Sequence, residues 1–199
     1  MAKGGTYERE VCRRLSRWWT GNDEDDDVFW RSSQSGGRAT TRAKSGKTTR
    51  GHCGDITAVD GRGQKFVKLI TVEIKRGYNR VDPIHLLDRT PKMAQQGFEA
   101  FLEQAMSAAV RANTPYWMII HKRDQRADMV YIPRNLIDAL ENREAMFAST
   151  VEFFVAMKKL HVGANKIYHT EFVGMSLYNF LDSVKPEMLL DVYKQRREK

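Results

Sequence analysis

Cysteine is scarce in this chain: Cys12 and Cys53 are the only two in 199 residues. Neither sits in a CxxC pair, and no histidine is spaced to complete a zinc site with them, so reduced thiols in a cytosolic protein are expected. The five histidines, His52, His85, His121, His161 and His169, are scattered and form no HNH-type or zinc constellation. Long apolar runs are missing too. None approaches the length of a membrane span, and Met1 to Gly5 has no apolar h-region behind it, so a soluble cytoplasmic protein is expected. The acidic cluster Asn22-Asp23-Glu24-Asp25-Asp26-Asp27 lacks the spaced pattern and the glycine of a calcium loop and reads as a solvated turn. No internal repeat is present.

What remains is a folded, basic chain. Hydrophobic residues make up 41% and there are four tryptophans, enough for one domain with a proper core. The formal net charge of +8 favours a polyanionic partner but says nothing about fold. The positive charge is concentrated: residues 31–52 are rich in Ser, Gly, Thr, Arg and Lys and contain no acid. This stretch reads as a mobile basic loop, 31–53, whose Arg31, Arg38, Arg42, Lys44, Lys47 and Arg50 are candidates for phosphate contacts.

Periodicity assigns the elements. Val11, Leu15, Trp18 and Trp19 recur at helical spacing, which predicts a helix from Thr6, a candidate N-cap, to Trp19. Core packing of the two tryptophans is expected. Strands are predicted at 28–30, 56–59 and 66–75, with Asp60-Gly61-Arg62-Gly63 as the turn between the last two. A symmetric hairpin about Arg62 would leave Asp55 four residues, roughly 13 Å, short of Glu73. An off-centre turn or bulge that slides Asp55 forward is therefore expected. Thr90-Pro91 opens a predicted helix that runs to Asn113. Strands follow at 116–121 and 129–132, then a helix from Pro133 to Leu140. The order predicts an α/β (α+β) layered domain with a mixed central sheet flanked by helices. A core over 1–140 and a C-terminal extension over 141–199 are expected, the last six residues forming a frayed charged tail.

The chemistry lies in Gly54-Asp55 and Val72-Glu73-Ile74-Lys75. Side chains alternate along a strand, so Glu73 and Lys75 share a face while Ile74 points into the opposite layer. Two carboxylates beside an ammonium can hold a divalent metal, a phosphate and an attacking water together. Asp55 and Glu73 would be the main ligands and the Ile74 carbonyl a further oxygen. Lys75 would orient or deprotonate the water, or neutralise the phosphate. E-x-K by itself is also a common pattern on solvent-facing strands.

The N-terminal run Gly4-Gly5-Thr6-Tyr7-Glu8-Arg9-Glu10-Val11 resembles the opening helix of the PD-(D/E)XK nuclease superfamily. It is most similar to that of the archaeal Holliday junction resolvases and related phage nucleases. The strand near Val28, followed by Arg31 and Ser32, resembles that group as well. The resemblance implies a restriction-endonuclease-like core in which Glu8, Asp55, Glu73 and Lys75 bind the metal and activate water. It favours Glu8 over Glu10, which lies about 200° further round the helix. It also points to a glutamine on the helix after the E-x-K strand. Gln104 fits by position, with Gln95 and Gln96 as competitors. Two departures stand out: Gly54 occupies the proline position, and the basic stretch before Asp55 is long.

The resemblance implies a DNA endonuclease using Mg²⁺, with Mn²⁺ able to substitute, at one or two ions per site. Its substrate would be branched or duplex DNA, in phage or prokaryotic recombination or repair, in the host cytoplasm if the chain is phage-encoded. A homodimer is consistent with a two-fold substrate. The alternatives are a non-catalytic DNA-binding module on the same fold and a sequence-specific restriction-type endonuclease. The intact acid set argues against the first, and nothing identifies base-reading elements for the second.

Overall fold

The computed structural model describes residues 3–32, 54–88, 97–141, 153–162 and 166–198. The expected basic contacts Arg38, Arg42, Lys44, Lys47 and Arg50, together with His52, Cys53, Thr90-Pro91, Gln95 and Gln96, lie outside the described residues.

Helix α1 (Lys3–Thr20) buries Tyr7, Val11, Leu15 and Trp19, a stripe of four-residue steps. It begins three residues before the expected Thr6 cap, so Thr6 is a helical residue and not the N-cap. The added turn carries Gly4 and Gly5, and Gly5 lies against the Arg31 guanidinium, where a Cβ would meet Nη1 at 3.2 Å. Gly21 ends the helix in a left-handed conformation (φ 67°). In the acidic turn that follows, Asp25 pairs with Arg62, and Asp26 lies near Arg13 and Arg17.

Strand β1 (Phe29–Arg31) pairs antiparallel with β2 (Ile56–Ala58) as a two-stranded ribbon. The predicted β2–β3 hairpin is not formed. Residues 61–63 make a 3₁₀ turn, and Gln64–Leu69 is a short helix, α2, where the sequence predicts the start of a strand. Phe66 and Leu69, three residues apart, are both buried on that helix, and Phe66 packs against Trp18, Trp19 and Phe29. Helical spacing of these anchors outweighs the strand preference of the Val- and Ile-rich run that follows.

Strand β3 (Ile70–Arg76) is the edge of a five-stranded mixed sheet in the order β3-β4-β5-β7-β6. It runs parallel to β4 (Tyr116–Lys122), with Lys75 opposite His121. β4 is antiparallel to β5 (Asp128–Pro133). The helix α3 (His85–Asp88) and the longer α4 (Phe98–Ala112) connect β3 to β4, and α5 (Arg134–Glu141) follows β5. The 141–199 region supplies the remaining two strands, β6 (Phe153–Val162) and β7 (Lys166–Ser176), with β7 paired to β5. It ends in α6 (Leu177–Ser183) and α7 (Pro186–Arg197). Residues 194–197 of the expected frayed tail instead form the last turn of α7, where Lys194, Arg196 and Arg197 suit the negative end of the helix.

The sheet separates two cores. Val72, Ile74, Met118, Ile120, Val130 and Ile132 face α1, α2, α6 and α7. Trp117, Ile119, Tyr131 and Phe172 face Phe98, Phe101, Leu102 and Ala105 of α4. This layering is the expected α/β restriction-endonuclease-like architecture, a mixed sheet with helices on both sides. The alternation puts Ile74 in one core and directs Glu73 and Lys75 to the other face, beneath α4. Among the described residues no helix is long and apolar enough to cross a membrane.

Candidate active site

Asp55 reaches β3 through its backbone. Its N–H donates to the Val72 carbonyl at 2.8 Å, and its Oδ2 accepts from the Ile74 N–H at 2.7 Å. The acid therefore straddles Glu73 along the open edge of the strand. A residue in a strand sends its N–H and C=O to the same side, so the Ile74 carbonyl projects from the edge that Asp55 occupies.

Two neighbours fix this docking. Gly54 has φ 87°, and a Cβ there would lie 2.7 Å from the Val72 carbonyl and 2.9 Å from the Thr71 methyl. Only glycine lets the two backbones approach this closely. Buried Ser32, at the end of β1, donates its N–H to the Asp55 carbonyl and its hydroxyl to the Gly54 carbonyl, both at 2.8 Å. Neither role is predicted from the sequence. For the first, the glycine immediately before the acid is a signal. Ser32 enters the sequence reading only through the resemblance of its strand, and its contacts leave no local signal because its partners lie some twenty-two residues away.

Glu73 and Lys75 are 3% and 8% exposed, so both charges are taken out of water and depend on one another and on α4. The Lys75 Nζ donates to Glu73 Oε2 at 3.1 Å and to Gln104 Oε1 at 2.8 Å. The Gln104 Nε2 donates to the same Glu73 Oε2 at 2.5 Å. Gln104 thus closes a three-membered ring of hydrogen bonds from the first half of α4. The Lys75 ammonium also lies 5.6 Å from the Phe101 ring centre. His121, beside Lys75 in register, is buried against the same ring. Burial first, and the charge of Arg123 second, lower its pKa to about 4, so it is neutral at physiological pH.

Glu8 stands half-buried on α1, whereas Glu10 is exposed. Arg31 donates its Nε to Glu8 Oε2 at 2.9 Å, so this basic residue is engaged with an acid of the site. The Asp55 carboxyl is pushed up to about 7, chiefly by burial and then by the negative charge of Glu73, with a smaller contribution from Glu8; the Ile74 N–H and Lys75 oppose the rise. Burial above all, then the charges of Glu8 and Asp55, push the thiol of the buried Cys12 up to about 12. Cys12 is therefore an inert thiol packed behind the acids.

Glu8, Asp55, Glu73, Lys75 and Gln104 thus gather at the β3 edge from α1, the approach to β2, β3 and α4. Among the described residues no three His, Cys, Asp or Glu side chains form a ready-made metal cage. The donor set nevertheless fits a hard divalent cation. It consists of carboxylates and a backbone carbonyl, the charges of Glu73 and Glu8 help to raise the proton affinity of Asp55, and Mg²⁺ needs few protein ligands because it keeps several waters.

The family model described as "Phage putative PDDEXK endonuclease" matches residues 1–190. No curated protein and no solved structure matches the chain.

Proposed function

The chain belongs to the phage PDDEXK endonuclease family, and from that premise we propose that it is a Mg²⁺-dependent DNA endonuclease hydrolysing phosphodiester bonds. The observation that carries this reading is the clamp of Asp55 across the strand that bears Glu73 and Lys75. A protein that only binds DNA has no use for acids crowded where a phosphate must lie.

Asp55 and Glu73, with the Ile74 carbonyl and Glu8, would hold one or two Mg²⁺ ions, for which Mn²⁺ can substitute. When bound, the metal supplies Lewis-acid stabilisation of charge at the phosphoryl group. The chain's own contribution is position. An ammonium has three N–H donors, and those of Lys75 that meet Glu73 and Gln104 account for two. The third can orient the attacking water or neutralise a phosphate oxygen. The water oxygen bonds to phosphorus as the bond to the leaving sugar oxygen breaks; the water gives up a proton to solvent and the sugar oxygen takes one up from solvent, leaving a hydroxyl. Gln104 holds ammonium and carboxylate together, so neither must reorganise during the step.

The substrate we propose is branched DNA of the Holliday junction type, handled in phage recombination in the host cytoplasm. A homodimer would present two sites to its two-fold symmetry. Arg38, Arg42, Lys44, Lys47 and Arg50 would contact phosphates and add affinity without reading sequence.

The test is cleavage of labelled four-way junction, flap, single-stranded and linear duplex DNA with Mg²⁺, with Mn²⁺ and with EDTA. Metal-dependent cutting with preference for the junction is expected. Tight binding without cutting of any substrate would replace the enzyme with a binding module.

A further inference from the structure

A groove of about 890 Å³ opens at the same sheet edge as the acids. Its floor is β2 and the start of β3, and its walls come from α2, the end of α4 and the end of α7. Its lining contains Lys68, Arg111, Arg196 and Arg197, and no Asp or Glu. All four are exposed, and among the described residues none forms an ion pair. This contrasts with Arg13, Arg17, Arg62 and Arg123, each of which lies within ion-pair range of an aspartate.

The bland explanation is that these residues only complement helix ends, since each lies in the last turn of its helix. The magnitudes decide against it. Three helix ends carry about half a negative charge each, against four unit charges, so the groove stays strongly positive. Two of the cations are also held in place without a counter-charge. The Arg196 guanidinium lies 5.3 Å from the Tyr116 ring centre and that of Arg197 lies 5.9 Å from Tyr193. Positive groups gathered from three elements, two of them held by aromatic faces and all open to solvent, form a receptor for anions that arrive from outside.

The position of the groove identifies the anion. Ile56 in its lining is the residue after Asp55, and Ile70 in its floor precedes Glu73 by three residues, roughly 10 Å along β3. Phosphates follow one another at about 3.4 Å of axial rise per strand. A strand cut at Glu73 therefore has its phosphates over the groove from about three nucleotides away.

We propose that this groove is a second backbone-binding site, holding phosphodiesters of the DNA about three or more nucleotides from the scissile bond. The proposal rests on the nuclease reading above. It gives the enzyme a footprint extending along the substrate arm to one side of the cut.

The experiment uses the full chain and a fluorescent duplex of about three helical turns, without divalent metal, and measures the affinity across a range of KCl concentrations. Each phosphate that the protein no longer neutralises lowers the slope of log K against log salt by about 0.9. The triple variant Lys68→Ala/Arg111→Ala/Arg197→Ala should reduce the slope by roughly 2 to 3. The charge-keeping variant Lys68→Arg/Arg111→Lys/Arg197→Lys should keep the wild-type slope. With Mg²⁺, the alanine variant should keep the kcat of the wild type and show a raised KM on long duplexes. A reduced slope in a protein that cuts nothing would support the groove while removing the nuclease reading. An unchanged slope in a protein that cuts normally would overturn the groove alone. Absence of DNA binding by the wild type would overturn both. Thermal stabilisation by dCMP that the alanine variant loses, with the DNA slope unchanged, would assign the groove to free nucleotides and overturn a strand.

Discussion

The Asp55 carboxylate accepts a 2.7 Å hydrogen bond from the amide of Ile74, the residue between Glu73 and Lys75. One acid is thereby locked to the backbone of the strand that carries the other acid and the ammonium. The relative positions of the three groups are set by main-chain hydrogen bonds and not by flexible side chains alone. Such preorganisation is what in-line attack on a phosphodiester requires.

Gly54 is the most sensitive point of that arrangement outside the chemical groups. In Gly54→Ala the new methyl would collide with the Val72 carbonyl and occupy a backbone conformation at φ 87° that alanine avoids. The expected cost is about 1–3 kcal/mol in stability and on the order of a 100-fold fall in cleavage rate, since a displacement near 1 Å suffices for that. Thermal melting and single-turnover cleavage check both. An unchanged rate would mean that the docking of Asp55 does not matter to the reaction.

Gln104 hydrogen-bonds both Lys75 and Glu73, and in the proposed reaction it positions them. Gln104→Ala should lower kcat roughly tenfold, in line with removal of a hydrogen bond to charged groups worth about 1.5 kcal/mol. KM and the fold should stay unchanged. Gln104→Glu should restore the acceptor to Lys75 yet oppose Glu73, and recover less than half of the missing rate. A KM effect with constant kcat would make Gln104 a substrate contact instead.

Asp128 offers a pH test remote from the site. It receives Lys122 at 2.6 Å and Arg14 of α1, tying that helix to β4 and β5. Burial raises its pKa, but Lys122 and Arg14 outweigh it, and the net shift is downward. A depressed carboxyl stabilises the fold above its unfolded value, near 4, and this contribution disappears as pH falls through the folded value. Asp128→Asn should therefore melt lower than the wild type at pH 7, by about 1–2 kcal/mol given that its partners are partly exposed. The gap should narrow steadily below about pH 4. A gap that stays constant from neutral pH down through the carboxylate range would show that the charge is not the source.

The acid set is legible in the sequence because period-two alternation around Ile74 and the helical stripe of α1 are local signals. What is not legible is non-local. Phe66 to Leu69 reads as strand because the Val- and Ile-rich run that follows extends the pattern without a break. Only the tertiary nest of Trp18, Trp19 and Phe29 reveals that Phe66 and Leu69 work as helical anchors. The turn signal at Asp60-Gly61-Arg62-Gly63 implies a β2–β3 hairpin, yet β2 finds its partner in β1 across residues 33–53. The closure that a hairpin could reach only through an off-centre turn or a bulge comes instead from α2, which lets β2 approach β3 side-on. Strands β6 and β7 lie in a region whose mixed aromatic and helix-forming composition has no clear period. Glu8, by contrast, is separated from Glu10 in the sequence only by resemblance, and its half-buried place opposite Arg31 gives that preference a physical basis.

The most direct test of the proposed chemistry is single-turnover cleavage in Mg²⁺ by Asp55→Asn and Glu73→Gln, with DNA affinity measured in parallel. Both substitutions keep the shape of the side chain and remove its charge. Each should lower cleavage at least about 1,000-fold, about 4 kcal/mol of transition-state stabilisation, while DNA affinity is unchanged or improved because a charge repelling phosphate has gone. Cleavage at wild-type rates by either variant would contradict the assignment of these two acids to the reaction.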